Sequence, residues 1–191
     1  MKLGLIALIV VGLLVIVGLV LGGSLLGSRN DLVQEREAIK GASAQVDNVL
    51  QRRNDLIPNL VETVKGFAKQ ELAVTDSVTK ARAAMMGAQT QTEKVQADAQ
   101  LTGALSRLMV VVENYPNIKS NENFMRLQDE LSGTENRISI ERGRYNAVVQ
   151  KYNTDIELFP KNIAASLFGF HREDAYFKAD AAAKEVPKVK F

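Results

Sequence analysis

The chain has 191 residues, room for one bundle-sized domain once an apolar N-terminal stretch is set aside. Its 24 basic and 22 acidic side chains leave a formal net charge of +2. Without the concentrated basic footprint of a nucleic-acid binder, no nucleic-acid partner is expected. Cysteine is absent, which excludes disulfides, thiolate metal sites, cysteine nucleophiles and a lipid-bearing cysteine.

Residues 3–28 carry no charge and are mostly Leu, Ile, Val, Ala and Gly. A helix over residues 3–26 would be about 36 Å long, enough to cross a hydrocarbon core of roughly 30 Å. Residues 1–28 therefore read as an uncleaved single-pass membrane anchor with the lipid bilayer as its partner. A cleaved signal peptide is the competing reading, since Gly22-Gly23-Ser24 offers small residues near the end. Gly18 with Gly22, and Gly23 with Gly27, give two pairs at G-x-x-x-G spacing that would permit lateral helix contact. Lys2 stands before the stretch and Arg29, Arg36 and Lys40 follow it, which tilts the count toward a cytoplasmic bundle without settling the side.

Beyond the anchor, apolar residues recur at steps of three and four, the seam spacing of packed helices. A helix over 31–57 has the seam Leu32, Glu35, Ile39, Ala42, Val46, Val49, Arg53, Leu56. Pro58 suits the first turn of a second helix over 58–87, with seam Leu60, Val64, Phe67, Glu71, Val74, Val78, Ala81, Met85. Gly87 and Gln89-Thr90-Gln91-Thr92 form a turn with a capping threonine. A third helix over 93–115 aligns Ala97, Leu101, Leu105, Leu108, Val112 and Tyr115, and Pro116 ends it. Ser120 or Asn121 caps a fourth helix, with Glu122 placed for its first turn. Along that helix Phe124, Leu131, Ile138, Tyr145, Tyr152 and Phe159 recur every seven residues until Pro160.

These elements predict an all-α protein: an N-terminal transmembrane helix, then an antiparallel four-helix bundle of long helices over residues 29–177. No alternating β-rich run bounded by hairpin turns is present. Ile163, Leu167, Phe168, Phe170, Tyr176 and Phe177 are expected to pack in part on the bundle, with residues 178–191 a flexible tail.

Bundles can hold metals through Glu-x-x-His motifs on facing helices, but the one histidine, His171, has Phe168 three residues before it. His171 reads as a turn or surface residue. No phosphate-binding glycine loop and no nucleophile elbow occurs. No metal, no cofactor and no enzyme activity is expected. The polar residues that interrupt the seams are Glu35, Arg53, Glu71 and Glu141. Either they form a polar layer, with Arg53 pairing Glu71, or they sit at seam edges in water, because an unpaired buried charge costs several kcal/mol.

The run Arg52-Arg53-Asn54-Asp55-Leu56-Ile57-Pro58-Asn59-Leu60-Val61-Glu62-Thr63-Val64-Lys65-Gly66-Phe67 resembles a signature of the LemA family. So do Asn121-Glu122-Asn123-Phe124-Met125-Arg126-Leu127-Gln128-Asp129-Glu130-Leu131 and Gly133-Thr134-Glu135-Asn136-Arg137-Ile138. Arg144-Tyr145-Asn146, Tyr152-Asn153, Phe159-Pro160, Phe168-Gly169-Phe170 and Pro187-Lys188-Val189 extend the likeness to nearly everything after Arg29. The resemblance implies a bacterial membrane-anchored helical bundle with no established enzyme activity. Some relatives are similar to lipoproteins held by a cysteine, which this chain lacks. Sequence and resemblance together lead to a non-enzymatic scaffold or interaction module in the bacterial cell envelope, working with a protein partner or as a homo-oligomer. The alternative is a regulatory module of envelope stress or membrane proteolysis.

Overall fold

The computed structural model describes residues 2–68 and 70–178, and these are helical or irregular with no strand among them. In chain order the elements are α1 (Lys2–Phe67), α2 (Leu72–Gly87), α3 (Gln91–Val112), α4 (Pro116–Lys119), α5 (Glu122–Asp155) and α6 (Lys161–Phe168). Contacts divide the chain into two compact units, one of Met1–Ala42 with Ala147–Asp174, the other of Ser43–Asn146 with Ala175–Phe191. The tail expected over 178–191 lies outside the described residues except for Lys178.

The largest departure from expectation is at Pro58. It opens no second helix but lies inside α1, which runs unbroken from the apolar segment to Phe67. A proline has no N–H, so the carbonyl four residues earlier loses its helical partner, a defect that normally breaks or kinks a helix. Here that carbonyl is Asn54's, and Asn54 is buried. Arg82 of α2 donates its Nε–H to the Asn54 carbonyl at 2.9 Å. A side chain from the next helix thus supplies the bond that proline cannot. The second helix begins at Leu72 instead, and the Phe67–Glu71 step of its expected seam fails: Phe67 is exposed and Glu71 stands at the helix N-terminus.

The remaining seams are largely as the periodicity indicates. Leu32, Ile39, Val46, Arg53 and Leu60 form a buried line at intervals of seven on α1, flanked by Leu50, Ile57 and Val64. On α2 Val78, Ala81 and Met85 are buried, with Thr75 beside them. On α3 the buried line is Ala97, Leu101, Leu105, Leu108 and Val112. Tyr115 falls beyond the end of α3. Thr90 caps α3 through a capping box: its hydroxyl accepts from the Glu93 N–H, and Glu93 reaches back to the Thr90 N–H. Asn121 caps α5 by accepting from the Phe124 N–H at 3.0 Å.

On α5 the stripe of sevens holds at Phe124, Ile138, Tyr145 and Tyr152, all buried, while Leu131 is half-buried. It fails at Phe159, which is 79% exposed and lies past the last residue of α5. The following segment packs in part, as expected, but not through the large residues of α6. Ile163, Leu167 and Phe168 are exposed, and α6 buries its small residues Ala164 and Ala165 instead. Phe177 is the aromatic of this region that is buried.

Two substitutions test these assignments. Ile138→Ala should lower unfolding stability by about 2–5 kcal/mol while Phe159→Ala stays within roughly 0.5 kcal/mol of the parent, read by denaturant melts in detergent. Arg82→Met should cost about 1–3 kcal/mol by stranding the Asn54 carbonyl. That cost should shrink in a Pro58→Ala background, where the alanine N–H can reach the same oxygen. Equal costs in both backgrounds would contradict the bypass.

Candidate functional site

Arg53 is the side chain around which the second unit is charged. It sits on the buried line of α1 with no exposed side-chain surface, so its guanidinium must be met by acceptors from neighbouring helices. Asp98 of α3 accepts from Arg53 Nη2 at 2.5 Å and is 4% exposed. Nη1 donates to Glu135 of α5 at 3.0 Å and to the Thr102 hydroxyl of α3 at 3.2 Å. The second Asp98 oxygen accepts from Arg142 of α5. One buried carboxylate therefore bridges two guanidiniums, and with Glu135 the four charges balance.

The cluster is closed by aromatic packing. The Arg142 guanidinium lies 5.6 Å from the centre of the Phe177 ring. Tyr145 meets the same ring edge-on at 5.4 Å between centroids. Asn146 fixes the backbone there: its Nδ2 donates to the Phe177 carbonyl at 2.7 Å and its Oδ1 accepts from the Phe177 N–H at 3.0 Å. An amide side chain thereby makes the paired bonds that a neighbouring strand would make.

Glu71, expected to pair with Arg53, instead accepts from the Tyr115 hydroxyl at 3.2 Å. Burial and this carboxylate both raise the tyrosine's pKa. Glu141 forms an ion pair with Arg144 one turn along α5. Further contacts join the helices of this unit: Lys94 pairs with Asp47 at 2.6 Å, and Ser43 donates to Gln91 at 2.9 Å. Partners on α3 rise with those on α1, from 43 with 91 through 47 with 94 to 53 with 98. Asp98 stands three residues before Leu101, and Glu135 and Arg142 stand three before and four after Ile138, all at seam steps. A seam traced through apolar residues passes over them, while Thr102 falls beside Leu101.

Glu35, the remaining polar-layer candidate, belongs to the first unit and serves a separate cluster. It accepts from Lys161 at 3.0 Å and from Lys151, and both lysines also bond Asp155, at 2.5 Å from Lys161 and 3.0 Å from Lys151. The Lys161 hydrogen bond, then those of Glu35 and Lys151, hold the Asp155 carboxyl far below the ordinary aspartate value. Hydrogen bonds to Glu35 and Asp155 raise Lys151. Lys161 is raised as well, because its two carboxylate partners outweigh the cost of burial.

The same unit holds the Phe168-Gly169-Phe170 motif. Gly169 takes the left-handed conformation (φ 70°) that ends α6, a geometry glycine adopts without steric cost. Phe168 lies under the Arg29 guanidinium at 5.5 Å and Phe170 under Arg36 at 5.4 Å, two arginines seven apart on α1. Asn153 clamps Glu173 by donating to its carbonyl at 2.7 Å and accepting from its N–H at 2.9 Å. The Tyr152 hydroxyl donates to the backbone carbonyl of His171 at 2.9 Å, leaving that imidazole at the surface.

Gly18, Gly22, Gly23 and Gly27 face open space, with no atom within 4 Å of where a Cβ would stand. The helix that contains them is long and apolar enough to cross a membrane. Among the described residues no group of three or more His, Asp or Glu is arranged to hold a metal ion.

A family model described as LemA family matches residues 42–191. Magnetosome protein MamQ 2 of Paramagnetospirillum magneticum is 28% identical over 202 residues, covering 92% of this chain and 73% of that protein. Protein LemA of Metamycoplasma hominis is 23% identical over 164 residues, covering 85% of this chain and 73% of its own. Magnetosome protein MamQ of Magnetospirillum gryphiswaldense is 25% identical over 184 residues, covering 83% and 68%.

Asp98→Asn leaves Arg53 and Arg142 facing a neutral group and should cost about 3–5 kcal/mol. Arg53→Met should cost less, since Asp98 keeps Arg142. The reverse order in denaturant melts would show that Asp98 is not the shared acceptor. In the first unit the sign follows from a depressed carboxylate. Asp155 contributes stability above its ordinary pKa of 3.8 that is lost as pH falls toward its folded value. Unfolding midpoints of the parent should therefore exceed those of Asp155→Asn at neutral pH and converge on them in strong acid.

Proposed function

The chain belongs to the LemA family, and on that premise we propose that it is a non-enzymatic scaffold or interaction module of the bacterial cell envelope. Residues 1–28 anchor it as a single-pass membrane protein, and the following helices form an antiparallel four-helix bundle that presents a partner-binding or self-associating surface. The observation that carries this reading is the use of the buried charges. Arg53 and Asp98 are buried and pair with each other and with the part-exposed Glu135 and Arg142, so these charges join α1, α3 and α5.

Two features support the anchor. The apolar helix has a mean hydropathy of 2.8 over its best window, with none of that window buried. The likeness to the MamQ 2 protein spans 92% of the chain, too large a share to leave out the whole of residues 1–28.

Met86, Val110 and Ile140 are exposed apolar residues of the second unit, 59%, 68% and 55% open respectively. Photo-crosslinking residues placed there one at a time, in cells expressing the full chain at native level, should trap discrete products whose identity depends on position. Products of about twice the 20.9 kDa chain mass mean self-association. Absence of any discrete product from all three positions would overturn the scaffold reading.

A further inference from the structure

We propose that α6 and the turn before it form a second membrane contact, an interfacial element that lies in the headgroup region of the bilayer crossed by α1. Leu158, Phe159, Ile163, Leu167 and Phe168 are 57%, 79%, 48%, 66% and 40% exposed. Such a concentration of large apolar side chains within eleven residues is not the scattered exposure of an ordinary soluble surface. On α6, Ile163, Ala164, Ala165, Leu167 and Phe168 lie to one side and Asn162 and Ser166 to the other, yet the protein covers only Ala164 and Ala165. The apolar arc is wider than the protein's own packing uses, and its uncovered flank is the one that needs an apolar neighbour.

The position of the element names that neighbour. Phe168 lies under the guanidinium of Arg29, the first charged residue after the apolar stretch of α1. About 20 helical residues fill a hydrocarbon core of roughly 30 Å, and the stretch over residues 3–26 is longer than that. Centring it in the bilayer leaves Arg29 several ångströms outside the core, within the headgroup layer. Phe168 is at that level, while Lys161 at the other end of α6 bonds Glu35, about 9 Å farther along α1. Helix α6 therefore brings its Leu167–Phe168 end to the interface, where an apolar helix side is buried about 5–10 Å deep. An aromatic ring capped by an arginine suits that layer, where an apolar body and a cation are both accommodated. The occupant of this patch is therefore lipid. The inference rests on α1 spanning the membrane.

The absence of cysteine makes the test direct. Single variants Val15→Cys, Ile163→Cys, Leu167→Cys and Ser166→Cys of the full chain would carry a nitroxide label in vesicles of phosphatidylcholine and phosphatidylglycerol. Collision rates with oxygen, which concentrates in lipid, and with a water-soluble nickel chelate report depth. The expected result is a ratio favouring oxygen strongly at residue 15 and several-fold more at residues 163 and 167 than at residue 166. Lipid-like behaviour at residue 15 with water-like behaviour at 163 and 167 would overturn the interfacial contact alone. Water-like behaviour at residue 15 would overturn the membrane-spanning reading and this inference with it.

Discussion

The second unit is organised by one ion pair that no water reaches, Arg53 to Asp98. Its importance follows from what surrounds it. The buried line of α1 at Leu32, Ile39, Val46, Arg53 and Leu60 has nearly equivalent aliphatic rungs at intervals of seven. Equivalent rungs do not define register, because sliding by one heptad exchanges one aliphatic contact for another. Arg53 breaks that equivalence. Any slip would set its guanidinium against aliphatic side chains and leave Asp98 and Arg142 to find new partners, at the cost of buried unpaired charge. A buried pair adds little net stability over an apolar replacement, so its effect is chiefly to disfavour wrong alignments of α1, α3 and α5.

Arg53 can act this way only because α1 continues beyond it. Pro58 would ordinarily end the helix within a turn, and the residues from Leu60 to Val64 would then leave the buried line. Arg82 prevents this by taking over the Asn54 carbonyl. Two adjacent residues of α1, Arg53 and Asn54, are thus joined to different helices through two guanidinium groups, one donated outward from α1 and one received from α2. The helix is held in place by the same stretch that holds its neighbours.

What the sequence made legible was periodicity and local chemistry. A step of seven put Ile138, Tyr145 and Tyr152 on one stripe, and side-chain oxygens at Thr90 and Asn121 marked helix starts, since both signals depend only on nearby residues. The failures share a cause. Pro58 was judged by its local effect, which is correct for an isolated helix and reversed here by a residue 24 positions away. The interrupted seam marks Arg53 as needing a partner and offers Glu71, whereas Asp98, three residues before Leu101, reaches it from a position that an apolar trace of α3 passes over. Phe159, Ile163 and Leu167 were read as packing because they are apolar. Composition says that such a residue prefers to leave water, but not whether protein or lipid receives it.

The segment after α6 shows how the motif residues divide their work. It carries no strand pairing among the described residues, yet its backbone is fixed at two places by asparagine side chains, Asn146 on Phe177 and Asn153 on Glu173. Each makes the paired bonds that a sheet neighbour would make. Gly169 supplies the one left-handed turn, and Phe168 and Phe170 rest under Arg29 and Arg36. Asn121, Glu135, Tyr145 and Asn153 likewise serve capping, ion pairing, ring packing or clamping. Several of the stretches through which the chain resembles the family are thus used in joining helices and fixing the segment after α6. Each of these side chains engages another part of the chain, whereas Phe159, from the same set of motifs, is 79% exposed.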